Sequence, residues 1–457
     1  MVLVLLLVPA LATGAAYGQG GSGTSLAAAD DKDAADKIDS RPASKLFEEA
    51  DLYLARRYQE FNKQKLPYDE TLETKTKAEQ EQLAARNAAV LHARKSLAVE
   101  DLYYLGMLNR LAGNEDESLE AMRRFLASGP EGANAQVARA VVVLYTTRKQ
   151  LVPEAERAVA AYAQKQPQVL AEWFGMESLI TQALRKLKDY ERMSAHAREM
   201  LKIAKLVAAD KTQSPFNRDD MLFKATSSIV EAELLLNKKE NAIVAGTELR
   251  KLALSMPSGN LLRLANTSFA GLFRSIDPLS DLDKASSVVA ALPELAAAQW
   301  IDQAPVKLTD LRGQVVLLDF WAPWCGPCRN TFPKLQKWHE TYKDKGLLIL
   351  GLTNYFGQVN GQKMNHDQEL AYLRTFKKTN RLPYGFVVAD SVINELNYGV
   401  FTIPMSFLID RKGRLRFIAI GGSEREFVSL GKMLEDVLAE PATADPAPKT
   451  VGAVTKD

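Results

Sequence analysis

The apolar and polar positions divide the chain into two regimes. From Ala43 to about Phe273 the pattern is helical, with few β-branched runs and with Gly and Pro mostly between segments. Phe47–Gln64 and Thr74–Leu97 read as charged amphipathic helices. Beyond Gln299 short apolar runs alternate with helical patterns. The expected order is strand Gln299–Ile301, strand Val315–Trp321, helix Pro327–Lys343, strand Leu347–Leu352, helix Asp367–Lys378, strand Gly385–Val388 and a short helix Val392–Tyr398. Strand Met405–Ile409, a turn at Asp410-Arg411-Lys412-Gly413, strand Leu415–Ile420 and helix Arg425–Leu438 complete it. The last two strands form a hairpin, and the earlier ones need crossover helices.

Within the helical part a loose repeat emerges. Pro130, Pro167 and Pro257 each end a helix-like run, and a small residue stands at the same offset before each: Ser118, Ala155 and Ala245. Leu105-Gly106 and the turn at Gly113-Asn114 complete one unit, and Lys188-Asp189-Tyr190-Glu191 marks another without its proline. The pattern resembles a degenerate tetratricopeptide-like array, although the first interval is longer than the usual ~34 residues. Such an array presents a concave face to a protein partner. An irregular helical bundle with no binding role fits the pattern equally well.

The flanks differ from both regimes. Val2 to Ala12 is nearly all apolar, too short to span a bilayer, and of the length of a signal-peptide core. Ala16-Tyr17-Gly18 supplies a small-x-small cleavage site, although no charged stretch precedes the core. The expected organisation is therefore a signal peptide at 1–18, a disordered lead-in at 19–42, a helical domain at 43–275, a connector at 276–296, an α/β domain at 297–440 and a disordered tail at 441–457. A length of 457 residues suits two or three domains, and 25% charged with 47% apolar residues is ordinary for a globular protein. The net charge of +2, with no basic block, gives no reason to expect nucleic acid as a partner. No cysteine follows the apolar core, which excludes a lipoprotein anchor, and the leading segment points to a periplasmic or otherwise exported protein.

Chemistry concentrates in Leu317-Leu318-Asp319-Phe320-Trp321-Ala322-Pro323-Trp324-Cys325-Gly326-Pro327-Cys328, which holds both cysteines. A buried strand here becomes a helix, and Pro327 is tolerated because the first helical turn needs no N–H from it. At this spacing the two Cβ atoms lie about 5–6 Å apart on one helix face, within reach of an S–S bond after modest adjustment. The helix N-terminus favours a Cys325 thiolate, lowering such thiols to about 3.5–7.5 from ~8.5. Two cysteines cannot staple a secreted scaffold. A zinc site would need two more ligands, and the spacing of His339 and His366 fits no compact site, so no metal is expected. Asp319 interrupts an apolar strand, where desolvation raises a carboxyl pKa; the plainer alternative is a wet or paired Asp at a strand end.

These residues resemble the active site of the thioredoxin superfamily. The preceding Leu308-Thr309-Asp310-Leu311-Arg312-Gly313-Gln314-Val315-Val316 is similar to the exported TlpA/ResA branch of thiol–disulfide oxidoreductases. The resemblance covers roughly residues 295–440 and implies an α + α/β protein: a helical-hairpin array followed by a thioredoxin-like domain. It implies that Cys325 attacks, that the more shielded Cys328 resolves, and that Asp319 exchanges protons with Cys328. It also implies a cis bond before Pro404, with the Ile403 backbone pairing with an extended substrate. Trp324 would be an apolar platform for substrate, whereas Trp321 belongs in the core. Gly326 and Pro327 between the cysteines imply a reductant. The redox-active Cys325–Cys328 pair needs no cofactor. Implied partners are disulfide-bearing proteins, apocytochromes c among them, and a membrane electron donor of the DsbD/CcdA type. Two other functions compete. A peroxiredoxin-like peroxidase would place Thr or Ser where Ala322 stands, and a helical scaffold would make the redox domain accessory. A copper-delivery protein of the Sco type would want a longer gap between the cysteines. The Gly-, Asn- and Gln-rich stretch from Tyr355 to His366 reads as a lid or, more plainly, as a solvent loop.

Overall fold

A computed structural model describes residues 39–67, 69–210, 213–272, 292–359 and 361–441. The leader at 1–18, most of the lead-in, the connector through 291 and the tail from 442 lie outside the described residues. The chain divides into two compact units, one ending at His196 and one beginning at Ala197.

The helical region comprises α1 (Ala43–Asp51), α2 (Tyr53–Lys63), α3 (Glu70–His92), α4 (Val99–Leu111), α5 (Glu115–Ala127), α6 (Ala133–Arg148), α7 (Val152–Gln164), α8 (Leu170–Leu187), α9 (Tyr190–Ala209), α10 (Pro215–Leu235), α11 (Lys239–Ser255) and α12 (Gly259–Ser268). The helix expected over Phe47–Gln64 is broken at Leu52: α1 buries Ala43, Leu46 and Ala50, whereas α2 buries nothing. The next begins earlier than expected because the Asp69 carboxylate accepts the amides of Thr71 (2.8 Å) and Leu72 (3.1 Å), an N-cap.

Four hairpin turns share one local design. Gly113, Gln150, Lys188 and Asn237 each adopt positive φ directly after a helix. The following amide then donates back across the turn: Asn114 to Asn109, Leu151 to Thr146, Asp189 to Leu184 and Lys238 to Glu233. These are Schellman closures, and only the first uses glycine. The repeat in the sequence is thus a repeat of turns. Ser118 is buried and its hydroxyl donates to the Gly106 carbonyl at 2.8 Å, joining α5 to α4. Gly106 itself lies under Met122, where a Cβ would meet the thioether. Ala155 is equally buried, but in α11 the buried small residues are Ala242, Gly246 and Ala253 rather than Ala245.

The second unit is built on a six-stranded sheet in the order β1-β6-β3-β2-β7-β8. The strands are β1 (Gln299–Ile301), β2 (Val315–Phe320), β3 (Leu347–Asn354), β6 (Gly385–Ala389), β7 (Met405–Ile409) and β8 (Leu415–Ile420). β2, β3 and β6 are mutually parallel, whereas β1, β7 and β8 join antiparallel. β4 (Gln358–Val359) and β5 (Gln362–Lys363) form a separate small ribbon within the stretch expected to be a loop. β2 is buried throughout, as the apolar run dictates for a central strand.

Val315 and Leu317 share one face of β2 and pack with Phe332, Phe376 and Leu430, which come from α13 (Gly326–Tyr342), α14 (His366–Thr379) and α16 (Glu424–Ala439). On the opposite face Phe320 meets Phe407 and Tyr398, the residue after α15 (Ile393–Asn397). α11 and α12 lie against β8, so the compact unit holding the sheet reaches back well before residue 297. Among the described residues no helix is long and apolar enough to cross a membrane. Because Leu317 is fully buried, Leu317→Ala is expected to cost about 2–5 kcal/mol. Denaturant unfolding measures that loss, and an unchanged midpoint would contradict the packing.

Candidate active site

The site lies where β2 leads into α13. Cys325 is the N-cap of α13, and its sulfur accepts the Cys328 amide at 3.2 Å. Cys325 and Cys328 are joined as a disulfide, with Cα atoms 5.3 Å apart. Gly326 and Pro327 fill the first helical turn, where proline removes no needed donor. Cys325 is 4% exposed and Cys328 0%, so the attacking sulfur implied by the resemblance is less open than expected. The asymmetry survives, because Cys325 borders an open groove of about 500 Å³ and Cys328 does not.

Trp324, Gly326, Pro327, Phe401 and Ile403 also line that groove. Trp324 is 63% exposed and meets Phe356 edge-on, with ring centroids 5.7 Å apart. Trp321 is buried among Phe332, Phe376 and Phe386. The Ile403–Pro404 bond is cis, just before β7. Gly422 packs where a Cβ would press on the Pro327 carbonyl and Pro404, so the two prolines approach each other across a glycine.

Asp319 sits on the β2 face that carries Leu317, toward the core that contains Cys328. It is completely buried; its Oδ1 accepts the Ser406 hydroxyl at 2.7 Å, and Oδ2 has no hydrogen-bond partner. Burial pushes this carboxyl up to about 7, against a smaller lowering by Ser406. Tyr384, also buried, is raised well above the ordinary phenol range by burial and then by the Asp319 charge.

Three groups near the site escaped the sequence reading. Glu395 of α15 faces the groove, its Oε1 accepts from Asn354 at 2.5 Å, and burial raises its pKa. Phe401 offers an exposed ring two positions before Ile403. Phe356 is brought to Trp324 because its amide and that of Gly357 donate to the Glu369 carboxylate at 2.7 and 3.0 Å. Only Phe401, an aromatic beside an Ile-Pro step, carried a signal in the sequence. Among the described residues no group of three or more His, Cys, Asp or Glu is placed to hold a metal ion.

The family comparison bears on the sheet-bearing unit. The AhpC/TSA family matches residues 288–418. The thioredoxin-like protein YneN of Bacillus subtilis (strain 168) is 32% identical over 115 residues, 25% of this chain and 61% of that protein. The thiol-disulfide oxidoreductase ResA of Geobacillus thermodenitrificans (strain NG80-2) is 32% identical over 122 residues, 26% of this chain and 62% of that protein. The chain thus spans about three fifths of the length of these two curated relatives. The crystal structure of a thiol-disulfide isomerase from Corynebacterium glutamicum is 26% identical, covers 33% of this chain and 97% of that one, and has a TM-score of 0.27. Strand order and dithiol placement give a thioredoxin-like fold to the stretch that the AhpC/TSA family matches, residues 288–418.

Proposed function

We propose that this protein is a thiol–disulfide oxidoreductase that reduces disulfides in other proteins. The observation that carries the reading is one cysteine of a joined pair opening on a groove whose far wall is a cis Ile403–Pro404 loop. In the reduced protein, the Cys325 thiolate attacks one sulfur of a substrate disulfide, forming a mixed disulfide and releasing a substrate thiolate that takes up a proton. Asp319 accepts the proton of the Cys328 thiol. The Cys328 thiolate then attacks the Cys325 sulfur, closes the internal disulfide and releases the second substrate thiolate. Two electrons pass from the cysteine pair to the substrate.

Gly326, Pro327 and the proton-accepting Asp319 support the reducing direction. The apolar stretch from Val2 to Ala12 supports export, and an exported reductant needs a membrane electron donor of the DsbD/CcdA type to restore the dithiol. Exported cysteine proteins, apocytochromes c among them, are the substrates that reading favours. A peroxidase reading, suggested by the family match, lacks the hydroxyl three positions before Cys325, where buried Ala322 stands. Equilibration against defined thiol–disulfide buffers tests the direction. A potential near ~ −270 mV is expected for a reductant, and one near ~ −120 mV would reverse the assignment.

A further inference from the structure

We propose that α12, which lies outside the thioredoxin-like domain, sets the shape of the substrate groove, and that its Arg263 is the positioning residue that holds Phe401 for apolar segments flanking a target disulfide. This deepens the proposed reductase reading and rests on it.

Four observations converge on one short loop. The first amides of a helix have no partner within it. In α12 two of them are taken by the loop that leads to the groove: Gly259 donates to the Tyr398 carbonyl at 3.1 Å and Asn260 to that of Gly399 at 2.8 Å. Ser258 caps the same helix through the Leu261 amide, at 3.1 Å, and is hydrogen-bonded to Asp219 of α10, a buried carboxylate paired with Arg218 at 2.8 Å. Gly259 has no room for a side chain, because Met405, next to the cis proline, and the Gly399 carbonyl occupy that space. Finally, the Arg263 guanidinium lies 4.6 Å from the Phe401 ring centroid while donating to Asn260 Oδ1 at 3.3 Å.

The loop is tied from its other side as well. The Tyr398 hydroxyl donates to Pro293 at 2.7 Å, and Asn394 exchanges two hydrogen bonds with the Ala296 backbone, at 2.8 and 2.9 Å. Residues 400–403 therefore hang between fixed points, with Arg263 bracing the one exposed ring among them. The wall so formed is Val400, Phe401 and Ile403, facing Trp324. Among the described residues, Glu395 is the one ionisable lining residue besides Cys325, which suits uncharged, apolar neighbours of a substrate cysteine and disfavours acidic ones.

The test uses the full chain and three oxidants: a peptide disulfide flanked by Leu and Phe, the same peptide with Asp and Ser there, and a small aryl disulfide. The native protein is expected to favour the apolar peptide. Arg263→Ala is expected to raise KM for that peptide about three- to tenfold, the scale of one cation–π contact, with kcat and the aryl disulfide rate unchanged. Arg263→Lys should restore most of the preference, and Arg263→Ala should add nothing in a Phe401→Ala background. An equal loss on all three oxidants, or independent effects of the two substitutions, would overturn the positioning role while leaving the reductase reading intact. If the native protein reduces none of the three, both fall together.

Discussion

Replacing Cys325 by serine is expected to lower protein-disulfide reduction on the order of 10³-fold or more, because a hydroxyl does not ionise near neutral pH and the other groups of the site cannot substitute for the nucleophile. Replacing Cys328 by serine has a different outcome. Attack by Cys325 survives, resolution does not, and the protein accumulates as a mixed disulfide with its substrate. The asymmetry follows from position, since Cys325 borders the groove and Cys328 is sealed behind it. Non-reducing electrophoresis and intact-mass analysis would show a thiol-releasable adduct with Cys328→Ser and none with Cys325→Ser. The reverse pattern would exchange the two roles, and adducts with neither variant would remove the dithiol from the reaction. The Cys328→Ser adducts would also identify the physiological substrates.

The sheet and the dithiol were legible in the sequence for a physical reason. β2, β3 and β7 are central strands, so their residues form short apolar runs whose limits are set by turns: Gly346 before Leu347, and Asp410 to Gly413 between β7 and β8. Both cysteines follow such a run directly, which places them at a strand-to-helix junction without knowledge of anything distant. Edge features were harder to read. The β4–β5 ribbon has only two residues per strand and no apolar alternation, so a Gly- and Asn-rich stretch looked like plain loop.

What the sequence hid is long-range. Nothing local to Gly259 or Arg263 indicates that they touch Gly399 and Phe401, which lie far along the chain. The expected connector at 276–296 separates helices from sheet in sequence, yet α11 and α12 lie against β8 in the same compact unit. A sheet face made of Phe320, Phe407 and Met405 must be covered, and a period-based reading sees that the face exists but not which element covers it. The hairpin repeat was visible through its prolines. Its determinant, a positive-φ residue closing each turn, was obscured because Gln150, Lys188 and Asn237 do that work where glycine would have announced it.

Asp319→Asn is expected to separate two consequences of burying one carboxyl. The first is thermodynamic. Burial raises the folded-state pKa from the ordinary carboxylate value to about 7, so the fold prefers the protonated form and takes up a proton on folding. That contribution to stability is fully present below pH ~4 and is lost as pH rises through about 7, where the charge must form without water; the full span is about 4 kcal/mol. Asparagine preserves shape and can still accept the Ser406 hydroxyl, but it cannot ionise. The variant should therefore be more stable than the native protein above pH 7, with the difference shrinking as pH falls toward 4. Denaturant unfolding at pH 4, 6 and 8, read as a difference so that other titrating groups cancel, measures it; a difference independent of pH would mean that burial does not raise the Asp319 carboxyl above its unfolded-state pKa. The second consequence is kinetic. Without Asp319 to take the Cys328 proton, the second step should slow on the order of 10²-fold while the first does not. Stopped-flow reduction of a protein disulfide should then reveal an accumulating mixed disulfide in the variant, and a native-like second step would assign the proton transfer to another group. Greater stability at alkaline pH together with slower resolution is the signature of a carboxyl kept at a site for its chemistry, because a purely structural aspartate would have no reason to cost the fold anything there.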